Sequence, residues 1–206
     1  MTLQELEETP YPPAPWRAKG QIWMGAFEVE SPLPLPAGLR PVLSPKWISV
    51  LVVRYLEGTL KYDELAICSL ARRGLRFGAY VHHIWVDSVP SLWGGRRIWG
   101  LPKELATFAW DGDTVRVTDN EGPIATITVN RRTGQLPPLG LFSPGFGVLD
   151  GRLVQASAFL KGPVGRSGMR VEEWSSRFPY RAMGTPRFSF SINPMAITVN
   201  AAVAIE

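Results

Sequence analysis

Long apolar runs, paired cysteines, histidine clusters and blocks of like charge are all missing from this chain, and each absence removes a class of function. The longest comparable apolar run, "WISVLVV" (47–53), is strand-sized and soon meets Arg54, so a membrane-spanning segment of about 18 or more apolar residues is not expected. The single Cys68 excludes an intrachain disulfide and any multi-cysteine metal site. His82 and His83 are the only histidines. Adjacent residues on a regular strand point to opposite faces, so a site built on both is not expected. Neither a metal nor another cofactor is therefore predicted. The 22 Lys and Arg against 18 Asp and Glu leave a net charge of +4, but the basic residues are scattered and no nucleic-acid motif accompanies them, so a nucleic-acid partner is not predicted. The opening "MTLQELEETPYPPAPW" is acidic and proline-rich where a signal peptide would be basic and then apolar, which leads to the expectation of a cytoplasmic protein.

Helical periodicity is also scarce, because 19 prolines and 20 glycines interrupt the chain before an amphipathic pattern can run far. Short β-branched and aromatic runs lie between them. Strands are predicted at 21–30, 47–56, 63–72, 79–87, 107–119, 123–131, 152–160, 187–193 and 196–205, with "DGD" and "NEG" as hairpin turns. Minor helices are predicted at "LQELEE" and at "VPSLWGGRR", the latter with Ser88 as its N-cap. The expected fold is mainly β, a single domain over residues 1–206 whose antiparallel sheet forms a closed or cone-like β-barrel, since closure removes exposed edges.

Three segments invite a chemical reading. Cys68 lies mid-strand among apolar residues, where a free cysteine is usually a small buried hydrophobe rather than a nucleophile. "GPVGRSG" (162–168) superficially resembles a phosphate loop but lacks the glycine-lysine-serine/threonine ending, and is read as a β-turn loop. Lys103, in "GGRRIWGLPKELATF" (94–108), is placed among Ile98, Trp99, Leu101, Leu105, Ala106 and Phe108. Either its stem snorkels along apolar surface, or desolvation makes its amine reactive by disfavouring the ammonium.

The order Gly95, Arg96, Arg97, Ile98, Trp99, Gly100, Leu101, Pro102, Lys103 resembles the signature of the acetoacetate decarboxylase family, in which this lysine forms a Schiff base. Tyr62, Asp63 and Glu64 resemble the family's strand carrying the active-site glutamate. "HIWVDSVPSLWGGR" (83–96) and "LPAGLRPV" (35–42) are similar to the segments between and before them, and the likeness extends from about residue 15 to 110. Two positions depart from the family. Arg97 stands where it usually has glutamate, and Glu104 where it usually has a second lysine. A neighbouring cation is one way to lower a lysine pKa, acetoacetate decarboxylase itself being an example of such activation. The joint departure suggests an exchanged Arg97–Glu104 ion pair that would modulate the nucleophile.

The resemblance implies a lyase, a decarboxylase-like enzyme of a small keto-acid substrate, assembled as a homo-oligomer. Lys103 would condense with a β-keto acid, and the protonated imine would accept the electrons released as carbon dioxide leaves. Glu64 and Tyr62 lie two apart and share a strand face, so Glu64 can relay protons while Tyr62 orients the substrate. Arg96 is the expected carboxylate clamp, because a planar guanidinium offers two parallel hydrogen bonds. Two alternatives remain open: a Schiff-base aldolase, dehydratase or cyclase acting on a 2-oxo acid such as pyruvate, and a non-catalytic barrel binding an apolar ligand with the help of eight tryptophans.

Overall fold

A computed structural model of the chain describes residues 9–42 and 44–205, without the side chains of 131–135. The helix expected at "LQELEE" lies outside the described residues. The strands are β1 (Trp16–Glu28), β2 (Arg40–Pro41), β3 (Trp47–Gly58), β4 (Tyr62–Arg73), β5 (Arg76–Val86), β6 (Lys103–Leu105), β7 (Thr107–Asp111), β8 (Thr114–Asp119) and β9 (Gly122–Thr128). They continue as β10 (Arg131–Phe142), β11 (Gly145–Leu149), β12 (Arg152–Ala156), β13 (Ala158–Ser167), β14 (Arg170–Trp174), β15 (Phe188–Val199) and β16 (Val203–Ala204). One helix, α1 (Val89–Trp99), stands between β5 and β6.

The large sheet runs β10-β13-β15-β1-β3-β4-β5-β11-β12-β16, and β14-β9-β8-β7 form a second sheet. The large sheet curls but does not close into a barrel: among the described residues no pairing joins β10 to β16. Its edges are blunted instead. β10 carries Pro137 and Pro138 on one edge, and β16 on the other is two residues long, both of which limit further strand pairing. "GPVGRSG" is no loop, since Gly162 to Ser167 belong to β13 and Pro163 pairs with Pro138; proline is tolerated there because the register against β15 shifts between Lys161 and Val164. The strands predicted at 187–193 and 196–205 divide differently: β15 runs through the gap between them to Val199, and Val203–Ala204 form the separate β16.

Alternation along the strands divides the large sheet into two faces. Val50 and Val52 of β3, Leu65 and Ile67 of β4, and Trp85 of β5 pack against Val115, Val117, Ile124 and Ile127 of the small sheet and form the main core. The residues between them face the other way, into the concavity of the curl. The paired residues Ile67↔His83 and Cys68↔Val81 leave His82 unopposed in a bulge. His83 therefore stacks on Trp85 at 5.6 Å and His82 reaches Ser69 Oγ at 2.9 Å, both turned from the concavity. Burial lowers the pKa of both, that of His82 to about 4.

Helix α1 begins as expected. The Ser88 side chain accepts from Ser91 N at 3.3 Å, and Pro90 occupies the first turn. Ser88→Ala is expected to cost about 1 kcal/mol of stability, measurable by chemical denaturation. The helix ends at Gly100, whose φ of 62° is left-handed, with Gly100 N and Leu101 N bonded to Arg96 O and Gly95 O. A Cβ at Gly100 would come within 2.3 Å of Val148 O, so this tight return requires glycine. It delivers the chain directly into β6, parallel to β5 with Ile84 opposite Lys103.

Candidate active site

Tyr62, Glu64, Ala66 and Cys68 occupy alternate positions of β4 and line a cavity of about 200 Å³ inside the curl. Leu51 and Tyr55 of β3, Val81 and Ile84 of β5, Trp16, Trp99, Leu101, Ile197 and Val199 supply most of the remaining wall. Lys103 enters from β6 and is 2% exposed. Its Nζ donates to Glu64 Oε2 at 2.8 Å and to Ser91 Oγ at 3.0 Å, and stands 5.0 Å from the centroid of the Tyr62 ring. The Tyr55 hydroxyl donates to the other Glu64 oxygen at 3.4 Å and its ring packs on Tyr62 at 4.4 Å. Lys103 is thus not a snorkelling surface lysine.

Burial alone was expected to hold the lysine pKa down, and burial does push it that way. Glu64 and then Tyr62 push in the opposite direction, and the Lys103 pKa lies above its ordinary value. The physical reason is the carboxylate itself, since an ammonium in a poorly hydrated site is favoured by an opposite charge in contact with it. Burial moves Tyr62 up to about 12 and Tyr55 well above its ordinary value, so both are neutral hydroxyls at physiological pH. Cys68 is buried in the wall and its thiol is pushed up to about 12, chiefly by burial. With both histidines on the opposite face, it has no imidazole base.

Helix α1 approaches Lys103 through glycine. A Cβ on Gly95 would fall 2.4 Å from Lys103 Cδ and 2.6 Å from Cε, and one on Gly94 would fall 2.4 Å from Trp16 Cζ2. The glycine pair therefore lets the lysine stem and the Trp16 ring slide against the helix backbone. Ser91 was missed as a site residue. Its signal was present, three positions after the Ser88 cap and four before Gly95, on the face that meets the lysine. Tyr55 was missed because its partnership with Glu64 depends on the register Tyr55↔Tyr62 across β3 and β4.

Three expected residues lie elsewhere. Arg96 is exposed, donates through Nε to the Lys103 backbone carbonyl at 2.8 Å, and has its guanidinium over Trp93 at 5.3 Å. It lines an outer cleft with Glu104 and Asp87 rather than the cavity, so it braces β6 where a carboxylate clamp was expected. The arginine among the cavity's lining residues is Arg17 of β1. Among the described residues no ion pair joins Arg97 to Glu104: Arg97 lies over Trp93 at 4.9 Å and Tyr11 at 5.9 Å, while Glu104 is exposed. The reason is strand alternation, which turns Glu104 to the face opposite Lys103. Neither Arg97 nor Glu104 is among the residues that line the cavity.

The family model for acetoacetate decarboxylase (ADC) matches residues 11–139, a stretch that holds Tyr55, Tyr62, Glu64, Ser91, Gly95 and Lys103. The chain belongs to the acetoacetate decarboxylase family. Acetoacetate decarboxylases 1 and 2 of Mesorhizobium japonicum are 40% and 38% identical to it over 55 residues, which are 26% of this chain and 22% and 21% of theirs. The match thus spans about a fifth of those relatives' length. Among solved structures, an acetoacetate decarboxylase superposes with a TM-score of 0.71 at 15% identity, covering 100% of this chain and 98% of that one. The enzyme from Legionella pneumophila gives 0.70 at 16% identity over 96% and 90%. The enduracididine biosynthesis enzyme MppR complexed with pyruvate gives 0.64 at 17% identity over 97% and 93%. At these identities the likeness to the solved structures is one of fold.

Proposed function

We propose that this family member is a lyase that decarboxylates a β-keto acid through an imine on Lys103. The observation that carries the proposal is the buried contact of Lys103 Nζ with Glu64 Oε2 at 2.8 Å in the wall of an apolar cavity. An ion pair at that distance is one proton transfer from a neutral pair. Substrate filling an apolar cavity removes water that would favour the charged form, so the proton moves from Nζ to Glu64 and frees the lone pair. The amine adds to the ketone, and Glu64 returns its proton to the departing hydroxyl as the imine forms. The iminium then draws the electron pair of the breaking C–C bond, carbon dioxide leaves, and an enamine remains. Protonation at carbon and hydrolysis release the ketone and restore the lysine. Ser91 and Tyr55 keep Nζ and the carboxylate aligned through these proton transfers, which depend on fixed hydrogen-bond distances. Tyr62 presents its ring to the charged nitrogen, an attraction that also suits the iminium.

A 2-oxo acid such as pyruvate would form the same imine, and the pyruvate-bound fold neighbour motivates testing it. Incubation with acetoacetate or pyruvate followed by borohydride should add the reduced adduct mass to the peptide containing Lys103, with carbon dioxide released from acetoacetate in unreduced samples. Trapping by pyruvate without decarboxylation of any β-keto acid would favour aldol or dehydratase chemistry. A chain that no keto acid labels would favour a ligand-binding fold instead.

A further inference from the structure

Resting on that imine reading, we infer that the preferred substrate is a 3-oxo acid with an extended apolar tail, which runs from Lys103 past Cys68 into a second apolar pocket. The cavity wall does not end near the reacting atoms. From Glu64 to Cys68 the chain advances about 13 Å at about 3.3 Å per residue, and Ala66 between them is small. The second pocket, of about 270 Å³, shares Leu51, Cys68, Ala79, Ser143 and Pro144 with the first. It continues the same strand faces: Cys68 to Leu70 on β4, Leu51 to Trp47 on β3, and Ala79 to Phe77 on β5. No charged residue is among its described lining residues.

Size and chemistry agree on the occupant. Acetoacetate offers one methyl group beyond the ketone. An apolar cavity of about 150 Å³ already holds a benzene ring without water, and the first cavity alone has about 200 Å³. The outer pocket is rimmed by Leu70, Phe77, Phe142 and Phe188, which are 41%, 51%, 59% and 49% exposed. An apolar patch of this kind, continuous with a reactive lysine, suits a hydrocarbon chain entering tail outward. The reaction keeps the tail intact: the bond from the α-carbon to the carboxylate breaks, one proton is taken up at that carbon, and a methyl ketone and carbon dioxide result.

The test measures methyl ketone and carbon dioxide from 3-oxobutanoate, 3-oxohexanoate, 3-oxooctanoate and 3-oxodecanoate, with borohydride trapping on Lys103 run in parallel. The expected result is a kcat/KM that rises about fourfold per added methylene until the pockets are filled. Cys68→Trp, at the junction, should flatten the rise. Phe142→Asp, at an exposed position that leaves the core intact, should flatten it for the longer acids. Trapping and turnover that do not increase with chain length would overturn the tail inference while leaving the imine reading in place. Absence of trapping by every acid, with affinity for the matching 2-alkanones still rising along the series, would remove the imine and support the pocket. Flat affinity would overturn it. If Phe142→Asp dissociates an oligomer in sedimentation and leaves the chain-length profile unaltered, a second copy of the chain covers the rim and the inference fails.

Discussion

Turnover by Glu64→Gln is expected to fall by about 10²–10⁴-fold, because the amide can hold Nζ but cannot accept its proton. The effect on stability should be comparably large. Lys103 and Glu64 have side-chain exposures of 3% and 11%, and removal of one member of such a buried pair leaves an uncompensated charge, at a cost of about 3–5 kcal/mol. The double replacement Lys103→Met with Glu64→Leu should recover that loss, since apolar residues of similar volume often match or exceed a buried pair. Chemical denaturation of the two single variants and the double variant gives the coupling between them. Additive losses would contradict the pair.

The pH dependence of stability should change sign with the same substitution. In the wild type the folded-state pKa of Lys103 lies above its ordinary value, so the pair's stabilisation is complete below the unfolded lysine's pKa and is lost as pH rises through the folded one. With Glu64 gone, burial is the dominant influence and depresses that pKa. A lysine so depressed favours the fold above its unfolded pKa and loses that contribution as pH falls through its folded value. Between about pH 8 and 10 the lysine should therefore leave the wild-type melting temperature level while that of Glu64→Gln rises, and above about pH 10.4 the wild-type value should fall. Parallel profiles would mean that Glu64 does not govern the lysine.

Gly95→Ala should lower kcat by about 10²-fold although alanine is the better helix former by about 1 kcal/mol. The added Cβ would lie 2.4 Å from Lys103 Cδ, inside any tolerable contact, and the stem has packed neighbours on its other sides. Displacing Nζ by about 1 Å from both Glu64 and Ser91 is enough for such a loss, because the reacting groups must be within about 3–3.5 Å. The decisive measurement pairs kcat with the rate of borohydride trapping and the melting temperature. Slower trapping in a protein that melts within a few degrees of the wild type is the expected outcome. Unchanged trapping would mean that the helix yields and that Gly95 is there for another reason.

Much of the site could be read from spacing. Tyr62 and Glu64 share a face because strand residues two apart always do, and Lys103 was marked by its apolar neighbours and by its likeness to a Schiff-base motif. The Ser88 cap and the start of α1 followed from local hydrogen-bond chemistry. The tail of the chain was less legible: β13 runs through "GPVGRSG", where glycine and proline suggest a turn, because pairing with β10 and β15 outweighs weak local propensity.

A mainly β chain, the alternation that puts Glu64 on one face, and the lysine motif were all legible before folding, because each depends on residues a few positions apart. Strand packing was needed to establish that the sheet stays open, since edge prolines and a two-residue terminal strand replace closure. Packing also established that Glu64, with Tyr62, outweighs the effect of burial on Lys103, that Arg96 braces β6 instead of entering the cavity, and that Glu104 faces away. These outcomes depend on which strands lie side by side and in which register. Charges 39 residues apart in sequence come to 2.8 Å, whereas neighbours such as Lys103 and Glu104 are separated by the sheet itself.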